Sequence, residues 1–447
     1  MRGNIFRSLI YATLLASLLY APVVTAGPRI EFGEEGGFVQ LDLKLQVYIE
    51  NADIGSGPTG TDSRTDIHFQ RNRLSLTGML DETWGIKFQT CGNTGTTKSP
   101  LGFNFGQPND WNDRDIRIID GYVIGNFSEA ANMKLGLTKI PLTRANLDDC
   151  FAPLSLDRSM FVYTPNGGSP AKFSRDMGVS FWGGFMEDRL KYWAMVSEGR
   201  EGVFKWMLPG QVGLPLTDPS YTSSPEPKSS LMYTARVHYS FLDPEPGSGY
   251  VGTYFGKKKI LTIGAGASYE PDAVYKNVAA PPSNTTPTNF ETVDYFAYAA
   301  DVMYEYPYSF GTVTLTGQYL KIDFDDAYKT NMNAADRNTI IAGVNGQKEG
   351  GVVKFAFTLP LTIGKEGKLQ PYVLYERWKL AHLLGVNEQR IEQTGLGINY
   401  YIKEQNIRTT VEYLDTGFDK ETTLFGITDG SKVKDFKTVR LMFQVII

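Results

Sequence analysis

Sixteen times between residues 38 and 447, apolar and polar side chains alternate with a period of two. Residues 38–50 show it most plainly: Val39, Leu41, Leu43, Leu45, Val47 and Ile49 are apolar, while Gln40, Asp42, Lys44, Gln46 and Glu50 take the other parity. Successive side chains of a β-strand point to opposite faces, so such a segment has one greasy face and one wet face. Its length also matches the roughly 9–11 residues that cross a bilayer when tilted. One such strand would equally suit a half-buried soluble sheet. Recurrence is what separates the two.

The remaining segments lie near 66–80, 83–91, 115–125, 131–140, 175–184, 189–197, 231–241, 258–269, 292–305, 310–323, 350–359, 368–379, 391–402, 406–415 and 436–447. Clean apolar faces include Leu74/Leu76/Leu80, Met133/Leu135/Leu137, Leu261/Ile263/Ala265/Ala267 and Val439/Leu441/Phe443/Val445/Ile447. Opposite them sit Arg71, Arg73, Lys134, Thr138, Asp301, Asn399, Arg440 and Gln444. Two segments read less cleanly, 115–125 and 368–379, where either parity mixes Asp120 or Glu376 with apolar neighbours. Short turns such as Asp81-Glu82, 127–130, 185–188, 306–308 and 403–406 interleave with long polar segments at 51–65, 92–113, 142–174, 198–230, 270–290, 324–348 and 416–434. Short turns at one end and long loops at the other are the pattern of outer-membrane barrels.

Strands in lipid leave no water for an unpaired edge, so a spanning sheet closes on itself. The expected fold is therefore all-β, a transmembrane antiparallel β-barrel of sixteen strands with a lumen wide enough for water. Tyr48, Trp84, Phe127, Tyr269, Tyr304, Tyr306, Tyr400 and Tyr401 fall near strand ends, as interfacial aromatic girdles do. The mean hydropathy of −0.24 excludes a helical membrane protein, because no apolar run reaches the ~18–20 residues a spanning helix needs.

Arg2 and Arg7 precede an apolar stretch from Leu9 to Tyr20, and Val24-Thr25-Ala26 offers small residues for cleavage. Residues 1–26 read as a cleaved signal peptide and 27–447 as a single barrel domain. Loss of the two arginines moves the formal net charge from −5 to −7, which argues against a nucleic-acid partner. Three His and two Cys, with no C-x-x-C, H-E-x-x-H or C-x-x-C-H, are too few for a zinc or haem framework, so no metal or cofactor is expected. No nucleophile, base and acid can be grouped into a catalytic set, and the chain does not read as an enzyme.

Several motifs are more specific. The stretch Phe69-Gln70-Arg71-Asn72-Arg73-Leu74-Ser75-Leu76-Thr77-Gly78 resembles the F-x-R-R-x-R-L-x-L-x-G strand of the phosphate-selective porin (O and P) family. Ile119-Asp120-Gly121-Tyr122-Val123 is similar to its D-A-Y-V strand, and Leu135-Gly136-Leu137-Thr138-Lys139-Ile140-Pro141-Leu142 to its V-G-x-x-K-x-P-F element. Asp157-Arg158-Ser159 resembles its E-R-S, and Arg175-Asp176-Met177-Gly178-Val179 its R-D-x-G-V. The resemblance implies an outer-membrane homotrimer whose third long loop, about 142–174 here, folds inward to narrow the pore. Family members that select phosphate cluster Lys and Arg at that constriction. Here the loop carries Arg144, Arg158 and Lys172 against Asp148, Asp149 and Asp157, a formally neutral set.

Selectivity in such a pore comes from charges facing a confined lumen. The pore-lining, anion-binding candidates are Arg71 and Arg73 on one strand, Lys87 and Lys134 on its neighbours, and Arg144, Arg158, Lys172 and Arg175 in or beside the inward loop. Ion pairing with Asp120, Asp148, Asp157 and Asp176 would instead make them pins for that loop. Cys91 and Cys150 either form a disulfide that tethers the loop or stand as separate thiols.

The expected function is passive diffusion of small solutes across the bacterial outer membrane. Inorganic oxyanions are the expected cargo, phosphate-like or others such as selenite and sulfate. The rival is a sheath for a multihaem cytochrome in an outer-membrane electron conduit, the haem belonging to the partner. Outer-membrane lipid is a partner under either reading.

Overall fold

The computed structural model describes residues 27–92, 116–163, 174–199, 230–276, 291–330, 346–383, 386–424, 427 and 429–447. The expected signal peptide and Lys172 lie outside the described residues. A short strand, β1 (Arg29–Phe32), precedes β2 (Gly37–Ser56), β3 (Asp62–Met79), β4 (Trp84–Gly92) and β5 (Arg117–Ser128). Then come β6 (Ala131–Lys139), β7 (Arg175–Phe185), β8 (Leu190–Ser197), β9 (Met232–Ser240), β10 (Ile260–Lys276) and β11 (Glu291–Tyr308). The chain ends with β12 (Gly311–Asp323), β13 (Lys348–Thr358), β14 (Lys368–Leu383), β15 (Val386–Lys403), β16 (Ile407–Thr422) and β17 (Val433–Ile446).

Each of β2 to β17 pairs antiparallel with its sequence neighbours, and β17 pairs back onto β2, with Leu441 opposite Ile49. The sheet is a closed sixteen-strand barrel, as the alternation requires. At the seam Ile447 donates to Leu43 O at 2.8 Å, and β1 continues along the same edge of β2 from Arg29 opposite Gln40. All sixteen predicted segments coincide with strands. Several strands run further than predicted at the long-loop end, β10 reaching Lys276 through a register shift between Glu270 and Val274.

The apolar parity faces outward. Leu43, Ile49, Leu74, Ile263, Phe296, Leu396, Val411, Val439 and Phe443 are all exposed. A continuous apolar belt of this kind is unstable against water and suits lipid. At the short-turn rim Tyr304, Tyr306, Tyr308 and Phe310 form a ladder of ring contacts. Two residues expected in the girdles point inward instead. Tyr48 is buried and donates to Asp157 at 3.2 Å, and Tyr401 is buried and donates to Gln370 at 3.0 Å.

The wet parity is not uniformly wet. Leu374, Trp378 and Leu380 of β14 point inward beside Glu376 and are buried, Trp378 stacking on Phe161 with centroids 5.4 Å apart. The mixed parity of that segment has a simple cause: part of the inner wall is the core of something packed inside the barrel.

Candidate functional site

What fills the lumen is the inward loop. From Ile140 the chain leaves β6, and Thr143 Oγ1 caps a one-turn helix, α1 (Arg144–Leu147), by accepting from Asn146 N at 2.9 Å. The loop runs on to a second turn, α2 (Met160–Tyr163), reaching walls on all sides. Ala145 N donates to Gln318 of β12, Lys354 of β13 to Asp157 O, and Asn399 of β15 to Leu154 O. Arg408 of β16 donates to Pro153 O, Gln444 of β17 to Phe151 O, and Lys44 of β2 to Asp149. Gly266 of β10 lets it pass, since a Cβ there would stand 2.2 Å from Leu142 O.

A second segment meets it from the opposite rim. The connection 241–259 sits at the short-turn end, yet it is long and folds up into the lumen. Asp149 N donates to Tyr250 O at 3.0 Å, and Gly252 N to Ala152 O at 2.7 Å, so the two segments pair backbone to backbone. Glu245 is fully buried and accepts from Arg144 Nη1 at 2.8 Å and from Tyr254 Oη at 2.8 Å. Lys191 of β8 donates to the carbonyls of Glu245 and Gly247, and Glu305 of β11 accepts from the backbone of Tyr254 and Gly256. Burial alone would push the Glu245 carboxyl up, but Arg144 outweighs it and holds it at about 2. A Cβ on Gly252 would stand 2.1 Å from Leu154 N. Gly252→Val is therefore expected to destabilise the fold by about 1–3 kcal/mol of overpacking, read by circular dichroism as a lower thermal unfolding midpoint.

Four of the expected cations are paired with carboxylates or bonded to backbone carbonyls, three of them through these two segments. Arg71 donates to Asp157 at 2.6 Å and to Gln46 at 2.7 Å. Burial would raise the Asp157 carboxyl, but Arg71 and then Arg440 outweigh it and hold it low. Arg144 is engaged by Glu245, and Arg158 donates to Ala145 O at 2.9 Å within the loop. Arg175 pairs with Asp120 at 3.1 Å. A guanidinium taken out of water needs a carboxylate or carbonyl: the inward loop supplies it for Arg71 and Arg158, segment 241–259 for Arg144, and strand β5 for Arg175. The disulfide is not formed either. Cys91 and Cys150 are free thiols, contacting Gly92 O and Asp149 Oδ1 respectively, and Arg73 interacts with both.

The other cations gather. A cavity of about 210 Å³ lies between β2–β8, the inward loop and Ser248–Tyr250, lined by Lys44, Arg73, Lys87, Lys134, Lys139 and Arg175 against Asp120 and Asp149. Both carboxylates have partners, Asp120 in Arg175 and Asp149 in Lys44 at 2.9 Å. Burial would raise Asp149, but Lys44 and Lys139 outweigh it and hold it well below the usual carboxylate range. Among the described residues, Arg73, Lys87, Lys134 and Lys139 make no ion pair. Lys134 donates to Ser248 Oγ at 3.0 Å, and Lys139 to Asp148 O at 2.8 Å. Across the loop a smaller cavity of about 60 Å³ is lined by Glu50, Asp157, Glu376 and Glu412 with Arg158, Lys354 and Arg440. Of these two cavities, only the larger is cationic.

Of the expected cations, Arg73, Lys87, Lys134 and Arg175 line this cavity; Lys44, Lys139, Tyr122, Trp193 and Tyr250 line it too and were not among the expected residues. Lys44 was visible as a wet-face lysine on β2, whereas Lys139 shares the parity of Leu135 and Leu137, so alternation alone places it on the apolar face. Nothing in the run Asp243-Pro244-Glu245-Pro246-Gly247-Ser248-Gly249 marks it as a segment that enters the lumen.

No family model matches the chain, and no curated protein matches it. Solved structures do. The chain is similar to OprB of Pseudomonas putida at 10% identity, with a TM-score of 0.53 over 91% of this chain and 94% of that one. It is similar to OmpF of Salmonella typhi at 11% identity, with a TM-score of 0.50 over 93% of this chain and 100% of that one. An anion-selective porin from Comamonas acidovorans aligns at 12% identity, with a TM-score of 0.48 over 92% of this chain and 99% of its own. At such identities the first two show the fold, a closed antiparallel barrel of the outer-membrane porin kind.

Proposed function

We propose that this chain is an outer-membrane channel for the passive diffusion of small oxyanions, inorganic ones such as phosphate, sulfate or selenite included, and that it is not an enzyme. One observation carries the reading: four cations that have no carboxylate partner among the described residues converge on a single lumen cavity. In a confined, low-dielectric bore such charges raise the local anion concentration and repel cations. The motif resemblance to phosphate-selective porins points the same way, as does the apolar outer belt. The short-turn rim then faces the periplasm, the signal peptide is removed on export, and the barrel works as a homotrimer. A sheath around a multihaem cytochrome fits less well, because the chain's own loops occupy the bore that the partner needs.

Reconstituted in a planar bilayer under a tenfold KCl gradient, the protein is expected to conduct with a reversal potential of the sign set by chloride. Absence of conductance, or a reversal potential of the potassium sign, would sink the proposal.

A further inference from the structure

We propose that the cationic cavity is a holding site for planar organic anions, aromatic carboxylates above all. This rests on the channel reading above and names the solute class its site retains longest. Lys87 and Lys134 stand on either side of Tyr122. Lys87 is the direct partner of Tyr122 on β4, and the Lys134 ammonium lies 5.6 Å from the ring centroid. The partner on β6 is Gly136, which brings no side chain to that flank of the ring. Trp193 and Tyr250 line the same cavity with ring centroids 5.8 Å apart. Trp193 is only 3% exposed, and its indole Nε1–H has no hydrogen-bond partner.

A compact inorganic oxyanion is served by the ammonium groups alone. It makes no use of three aromatic walls and must shed water against them. A flat ring carrying a carboxylate uses both parts: the carboxylate takes charge-assisted hydrogen bonds from Lys87 and Lys134, and the ring packs edge or face against Tyr122 and Trp193. Aromatic pairs are geometrically selective, so a saturated ring of equal charge gains less than a flat one.

The test is equilibrium dialysis of benzoate, cyclohexanecarboxylate and inorganic phosphate against the full barrel in detergent at pH 7. Benzoate is expected to bind about tenfold more tightly than either competitor. Tyr122→Leu should abolish that advantage while leaving phosphate unchanged, Tyr122→Phe should keep it, and Lys134→Gln should weaken all three. Phosphate or cyclohexanecarboxylate binding as tightly as benzoate overturns the proposal, as does an undiminished benzoate advantage in Tyr122→Leu. Should Tyr122→Leu fail to fold, the wild-type ranking alone decides. Binding is read without a current, so a barrel that does not conduct still answers this question, and failure of the channel reading appears only in the bilayer record.

Discussion

Replacing Lys87 and Lys134 together by Glu is expected to abolish the anion preference, bringing the reversal potential close to zero. The cavity holds six cationic side chains against two carboxylates, and both carboxylates are already neutralised by Lys44 and Arg175. The double substitution sets two new acids against Arg73 and Lys139, so the cavity's formal charge falls to zero. At an effective dielectric near 20, a unit charge about 6 Å from a passing ion is worth on the order of 3 kcal/mol, and each ~1.4 kcal/mol is a tenfold change in occupancy. Salt screens this, so the difference from wild type should be clearer near 0.1 M than near 1 M, where the Debye length falls from about 10 to about 3 Å. Arg71→Gln is the matched control. Its charge faces Asp157 inside the loop contact, so its loss should lower stability and leave the selectivity sign unchanged. If Arg71→Gln shifted selectivity as strongly as the double variant, the assignment of roles to the two groups would be wrong.

The second large effect concerns the contact between Arg144 and Glu245. The Glu245 carboxyl has an ordinary value of 4.5 and is held at about 2, chiefly because Arg144, with help from Tyr254 and His238, overcomes the cost of burial. A lowered carboxyl value means that stability is fully present above 4.5 and is lost as pH falls toward 2. The shift corresponds to roughly 3 kcal/mol holding segment 241–259 in the lumen. Hydrogen exchange within residues 244–256 is expected to stay slow down to about pH 4.5 and to rise below it. Glu245→Gln should show fast exchange and enlarged single-channel current fluctuations already at pH 7, with no further change between about pH 4.5 and 2. A variant indistinguishable from wild type at pH 7 would show that the backbone pairing of Asp149 with Tyr250, not the ion pair, holds the segment.

The barrel itself was legible because its determinant is local. An outward residue such as Leu43 or Val439 is apolar wherever its strand sits in the ring, so parity alone reports it. The lumen was less legible because its determinants are relational. Arg71 and Arg73 lie two residues apart on one strand with the same parity, yet Asp157 claims the first and, among the described residues, no carboxylate claims the second. Which arginine is free depends on where a loop 86 residues away in sequence comes to rest. Segment 241–259 was overlooked for the same reason, since Glu245 is one acid in a Pro- and Gly-rich run until Arg144, 101 residues upstream, is placed against it. Even the poorly patterned strand 368–379 is explained this way, Trp378 pointing inward because Phe161 is there to receive it.

The inward loop also bears on how the ring is held shut. The seam is the one place where strands from opposite ends of the chain must find each other, β17 against β2. Just inside it, Gln444 of β17 grips Phe151 O at 2.9 Å, while Lys44 of β2 grips Asp149 at 2.9 Å, two positions earlier on the same strip of loop. The strip therefore acts as a strap laced across the joint from within. Prising the terminal strands apart at that height means tearing the strap as well as the ladder.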